Sequence, residues 1–94
     1  MTNKLFSMEG KVCLITGGSR GLGYAIAEGF FAAGAKRIYI TARKADACEQ
    51  AAQELSKLGE CIALPGDISD MSEIERLANT LKDKETSIDV LVNN

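Results

Sequence analysis

The sequence predicts an α/β fold, a doubly wound parallel sheet with the order βαβαβαβ. Short continuous apolar runs alternate with longer amphipathic ones. Strands that alternate with helices imply a parallel sheet with right-handed crossovers and helices on both faces. Glycine, or Pro65-Gly66, stands at the ends of several runs and marks turns. Glycines at 17, 18, 21 and 23 lie between the first apolar run and the first amphipathic one, where a strand must turn into a helix.

Val12-Cys13-Leu14-Ile15 is apolar and partly β-branched, bounded by Lys11 and Gly17, which suits a strand buried on both faces. Leu22, Ala25, Ile26, Phe30 and Ala33 recur at helical spacing, and Gly34 closes that helix. Ile38-Tyr39-Ile40 is the second strand. Cys48, Ala51, Ala52, Leu55 and Leu58 form the stripe of a second helix ended by Gly59. Cys61-Ile62-Ala63-Leu64 is the third strand, stopped by Pro65-Gly66. Asp70 can cap a third helix, whose stripe is Ile74, Leu77, Ala78 and Leu81. Residues 88–92 form the fourth strand.

The expected strand order is 3-2-1-4, the first part of a doubly wound sheet. Such a sheet normally continues, so residues 1–94 are expected to be one partial domain, truncated after the fourth strand. That strand is as apolar as a central one yet would stand at an edge, where it is an aggregation risk. No linker, repeat or low-complexity segment interrupts the chain.

Composition narrows the function. The 94 residues are 46% hydrophobic and 26% charged, ordinary globular values that argue against disorder. A net charge of -2 provides no basic field, so nucleic acid is not an expected partner. Any anion must be held by a local device. Cys13, Cys48 and Cys61 are odd in number and form no C-x-x-C pair. They read as small buried hydrophobes rather than as a disulfide framework or a metal site. No apolar run is long enough for a membrane span, and residues 1–7 carry no long apolar core of a secretory signal. The default expectation is a cytoplasmic protein.

The glycine-rich turn, Thr16-Gly17-Gly18-Ser19-Arg20-Gly21-Leu22-Gly23, carries the functional signal. A glycine cluster between a buried strand and a helix is the context of a dinucleotide-binding, Rossmann-like fold. Glycines let the backbone approach a pyrophosphate, and the helix N-terminus turns free N–H groups and a positive dipole toward the anion. Gly23 would let the helix pack close to the first strand. The bland alternative is a tight turn that binds nothing. Gly17-Gly18-Ser19-Arg20-Gly21 also matches the G-x-S-x-G elbow of hydrolases, but that chemistry needs a histidine base and the chain has no histidine. Ser19 reads instead as a hydroxyl donor near a phosphate.

The second strand is followed by Thr41-Ala42-Arg43-Lys44, with no acid before Asp46. An acid there would hold the ribose 2′-hydroxyl of NAD. Arg43 and Arg20 could instead grip a 2′-phosphate through charge-assisted bonds, which points to NADP(H). Singly, each would read as an ordinary surface arginine.

The spacing T-G-x-x-x-G-x-G resembles that of the short-chain dehydrogenase/reductase family. Glu9-Gly10-Lys11, Asp67-Ile68 and Asp89-Val90-Leu91-Val92-Asn93-Asn94 extend the resemblance from about Met8 to Asn94. Residues 42–48, Ala42-Arg43-Lys44-Ala45-Asp46-Ala47-Cys48, resemble 3-oxoacyl-[acyl-carrier-protein] reductases of the rhamnolipid-pathway type. The resemblance implies a partial NAD(P)-binding domain over 1–94, with Gly17, Ser19, Arg20, Gly21, Leu22, Gly23 and Arg43 on the cofactor. It implies that Asp67 meets the adenine amino group with help from the Ile68 backbone; the alternative for Asp67, helix capping, falls better to Asp70. It also implies that Asn93 and Asn94 line the ribose side and tie neighbouring strands.

The same resemblance implies a carbonyl substrate reduced by hydride transfer, and a homo-oligomer only for the full-length protein. The family's catalytic Tyr-x-x-x-Lys pair is missing, since Tyr24 is followed four residues on by Glu28 and Tyr39 by Arg43. No catalytic residue is therefore assigned. Tyr39 reads as a strand side chain packed on the sheet. The alternatives are a non-catalytic dinucleotide-binding or interaction module, or an inactive truncated product.

Overall fold

The computed structural model describes residues 7–94; the reading of residues 1–6 as part of no secretory signal falls outside the described residues. The elements are β1 (Val12–Thr16), α1 (Gly21–Ala32), β2 (Arg37–Thr41), α2 (Ala45–Leu55), β3 (Glu60–Ala63), α3 (Met71–Lys84) and β4 (Val90–Val92). The sheet has the expected order, β3-β2-β1-β4, and each neighbouring pair is parallel. No helix among the described residues is long and apolar enough to cross a membrane.

Alternation along the strands divides the core into two layers. Cys13 and Ile15 of β1, Ile38 and Ile40 of β2 and Cys61 of β3 pack with Ala27 and Phe31 of α1 and with Cys48, Ala51, Ala52 and Leu55 of α2. On the opposite face Val12, Tyr39 and Leu64 pack with Leu77 of α3, and Leu14, Ile62, Leu81 and Ile88 are partly buried there. All three cysteines are free and buried, and burial pushes the Cys61 thiol up to about 12. They behave as small hydrophobes. At the β4 edge Leu91 remains 63% exposed.

The structure corrects three helical stripes. In α1 the buried line is Gly23, Ala27 and Phe31, whereas Leu22 is 67% exposed and Ala25 is also exposed. Ile26 and Phe30 of the expected stripe do pack against the core, but the helix is turned a little from the expected face because its first turn must press Gly23 against the end of β1. A Cβ on Gly23 would stand 2.2 Å from the Gly17 carbonyl oxygen. In α2 the buried residues are as expected up to Leu55, where the helix ends. Leu58 lies in the following turn and is exposed; the ring of Phe31 packs against Gly59 instead. In α3 Leu77 is buried, but Ile74 and Ala78 are exposed, because they border a groove that no other described element covers.

Opposite the glycine turn, at the other end of the sheet, a polar cluster fastens the end of α3 to two strands. The Arg37 guanidinium bonds Glu60 at 2.9 Å and Glu85 at 2.5 Å, and the Tyr39 hydroxyl donates to the same Glu85 oxygen. Glu85 is the residue that ends α3. The Tyr39 hydroxyl and Arg37 hold its carboxyl below the usual glutamate range. Burial first, and then the bond to Glu85, push the Tyr39 phenol up to about 12. Tyr39 is thus a packed strand residue, as expected, with its one polar atom satisfied.

Two stability measurements follow from this packing. Gly23→Ala drives a methyl into backbone that has no room to yield, so urea denaturation should show a loss of about 1–3 kcal/mol. Glu85→Gln should lower the thermal midpoint by about 5 °C at pH 7. A carboxyl held below its unfolded value stabilises the fold above that value and loses the effect as pH falls. The gap between Glu85→Gln and the parent protein should therefore narrow below about pH 4; a gap that stays constant down to pH 2 contradicts the role assigned to the ionised carboxylate.

Candidate functional site

The carboxyl ends of the four parallel strands lead into one side of the molecule, the position at which open α/β sheets bind ligands. A cleft of about 630 Å3 lies there, within the range of small-molecule sites. The turn after β1 contributes Gly17, Ser19, Arg20 and Gly21. The end of β2 and the start of α2 contribute Thr41, Ala42, Arg43, Lys44 and Ala47. Gly66, Asp67, Ile68 and Ser69 come from the segment after β3, and Asn94 from the segment after β4.

Two helices begin at this cleft, and neither has a side-chain cap. Arg20 precedes α1 and Lys44 precedes α2, each in extended backbone with no side-chain bond to the first turn. The opening amides of both helices therefore lack acceptors within the helix, and both positive ends of the helix dipoles meet the cleft. α3 is different: Asp70 accepts from the Ser72 backbone N–H at 2.9 Å and from the Ser72 hydroxyl at 2.7 Å. The expected cap at Asp70 is thus present, and Asp67 is not the cap.

Asp67 takes a local turn of its own. Its Oδ1 accepts from the Ser69 hydroxyl at 2.6 Å and from the Ser69 N–H at 3.0 Å. These bonds, with a smaller contribution from Arg43, hold its carboxyl below the usual aspartate range. It is ionised at neutral pH, and its other oxygen is not engaged by this turn. Arg20, Arg43 and Lys44 bring three cations to the lining against this one carboxylate. Asp46, in the first turn of α2, is not part of the lining.

The turn itself is held from β2 and β4. Gly17 has φ +67°, a left-handed conformation that favours glycine, and its N–H donates to the Thr41 carbonyl at 2.8 Å. The Gly17 carbonyl accepts from Asn94 Nδ2 at 3.3 Å. Thr16 Oγ1 accepts the Asn94 backbone N–H at 2.9 Å and donates toward the Val92 carbonyl and Asn93 Oδ1, each 3.3 Å away. β2 and β4 thus both fasten the turn, β2 through the Thr41 carbonyl and β4 through this clasp.

Of the residues singled out from the sequence, Gly17, Ser19, Arg20, Gly21, Arg43, Asp67, Ile68 and Asn94 come together around the cleft. Three do not line it. Gly23 lies behind the turn against Gly17, the Leu22 side chain points to solvent, and Asn93 reaches Thr16. The lining residues that sequence reasoning missed are Thr16, Thr41, Ala42, Lys44, Ala47, Gly66 and Ser69. A threonine that ends each of two apolar strands was a readable signal, as was a second cation directly after Arg43.

The short chain dehydrogenase family profile matches residues 11–94. The chain is 47% identical over 89 residues to the rhamnolipids biosynthesis 3-oxoacyl-[acyl-carrier-protein] reductase of Pseudomonas aeruginosa, covering 95% of this chain and 34% of that protein. The solved Pseudomonas aeruginosa RhlG/NADP active-site complex superposes with a TM-score of 0.89 at 46% identity, covering 95% of this chain and 36% of the other. L-sorbose reductase from Gluconobacter frateurii, solved with NADPH and L-sorbose, gives 0.86 at 33% identity, covering 94% and 34%. The chain spans about a third of the length of these relatives. The glycine turn, the strand order and these matches agree that the chain belongs to the short-chain dehydrogenase/reductase family.

Proposed function

We propose that this chain is the NADP(H)-binding portion of a short-chain dehydrogenase/reductase that reduces a carbonyl substrate of the 3-oxoacyl type. The observation that carries this reading is the pairing of two uncapped helix N-termini with Arg20, Arg43 and Lys44 around one cleft. That arrangement suits a ligand with separate anionic groups. The turn residues Gly17, Ser19 and Gly21 and the start of α1 face the pyrophosphate, and Arg20 and Arg43 take the 2′-phosphate. Ionised Asp67, with the Ile68 backbone, accepts from the adenine amino group. Asn94 lines the ribose side, while Asn93 ties β1 to β4 through Thr16.

The relatives support the cofactor and the reaction class. One is a 3-oxoacyl-[acyl-carrier-protein] reductase, and the solved complexes contain NADP or NADPH. The bound cofactor would supply the hydride; the residues of this chain bind and orient it.

Charge reversal tests the cofactor assignment. Arg43→Glu should weaken NADPH at least tenfold, the scale of one lost charge-assisted pair at about 1.5–3 kcal/mol, and NADH far less. An unchanged NADPH/NADH affinity ratio in an NMR titration removes Arg43 as the selector. The purified 94-residue chain should bind NADPH weakly and oxidise none of it with a 3-oxoacyl thioester. Turnover that scales with its concentration would show that these residues hold a complete active site.

A further inference from the structure

The geometry points to Thr41 as a purine-positioning residue, whose hydroxyl takes a hydrogen bond with the polar edge of the adenine ring. The inference rests on the NADP(H) reading and goes beyond it, since neither the glycine turn nor the basic residues involve this side chain.

Thr41 ends β2 and lies in register beside Thr16, which ends β1. Both side chains share the sheet face that carries Tyr39, and both threonines line the cleft. Their hydroxyls differ in one respect. Thr16 Oγ1 is satisfied by residues 92–94, whereas Thr41 Oγ1 has no hydrogen-bond partner among the described residues, although the residue is only 3% exposed. A buried hydroxyl without a partner is costly, and native folds rarely leave one without a reason.

The surroundings indicate the kind of partner. Thr41 also borders an apolar slot of about 160 Å3 that shares Thr16 and Ile68 with the cleft and is otherwise walled by Leu14, Leu64, Leu77 and their neighbours. Apolar walls with one hydroxyl suit the flat face of an aromatic base with a single polar contact, not a phosphate, which needs cations or several N–H donors. Adenine presents an amino donor beside a ring-nitrogen acceptor. The Asp67 carboxylate can only accept, and the Thr41 hydroxyl can donate. Together they complement that edge.

The test uses the 94-residue chain, titrated by NMR with adenosine 2′,5′-bisphosphate and with pyrophosphate, which has no base. Thr41→Val keeps the shape and removes the hydroxyl. Because that hydroxyl has no partner among the described residues, the thermal midpoint should be unchanged or higher. Adenosine bisphosphate should bind Thr41→Val about three- to tenfold more weakly, the scale of one hydrogen bond, while pyrophosphate binds as before. Thr41→Ser should restore the loss. Equal affinity of Thr41→Val and the parent chain for adenosine bisphosphate overturns the inference, as does a proportional loss for both ligands, which marks a merely structural role. A parent chain that binds pyrophosphate and gains nothing from the adenosine also overturns it but leaves the phosphate site standing. Binding of neither ligand removes the NADP(H) reading itself.

Discussion

The close approach of α1 to the end of β1 is the contact on which the rest of the site depends. Gly23 meets the Gly17 carbonyl at a distance that excludes any side chain. This contact sets the rotation of α1, and so it selects Ala27 and Phe31 for the core and turns Leu22 to solvent. It also brings the uncapped start of the helix to the strand ends. Gly18 reinforces it within the same layer, since a Cβ there would stand 2.6 Å from Ile40. Neither glycine touches a ligand by a side chain; both act by allowing backbone where bulk would separate strand from helix.

The electrostatic pattern of the three helices follows a division of labour. α3 carries its own cap, an acid in its first turn and lysines in its last, the arrangement expected of a helix that must be stable by itself. α1 and α2 have no side-chain cap at the ends that meet the cleft. A cap would supply about 1 kcal/mol, and its absence at two of three helices coincides with the only part of the cleft rich in cations. Stability that a cap could provide is left to a ligand. In that light Arg43 and Lys44 are not a generic basic surface, since the chain as a whole carries net negative charge.

Strand identity and order were readable because buried parallel strands are nearly continuous apolar runs, and each here is bounded by turn residues. The Asp70 cap was readable because it depends on two neighbouring residues. The setting of α1 was only half readable: Ile26 and Phe30 pack as their spacing says, but Leu22 and Ala25 continue a plausible stripe to an exposed face, and the decisive contact involves residues without side chains. Leu58 misled for a related reason: it keeps helical spacing after the helix has stopped. The cleft was half legible. Residues within the glycine motif and the arginines were found from spacing and charge, and Asp67, Ile68 and Asn94 from the family resemblance. Thr16 and Thr41 are adjacent only through strand pairing, and Ser69 matters through the turn it makes with Asp67. Local pattern carries no record of the strand pairing, whereas the Asp67–Ser69 turn has the same two-residue spacing as the Asp70 cap and could have been read.

The fastening of the glycine turn by residues 92–94 has a consequence for how the site comes into being. Its hydrogen bonds join groups 76 to 78 positions apart in the chain. Contacts of that span form slowly, since a long loop must close before they are made. The strand and turn nearest the amino terminus are synthesised first, and β2 can hold the turn through the Thr41 carbonyl, yet the clasp closes only when β4 docks beside β1. A nascent chain therefore carries the glycine motif well before the residues that complete the clasp have been made.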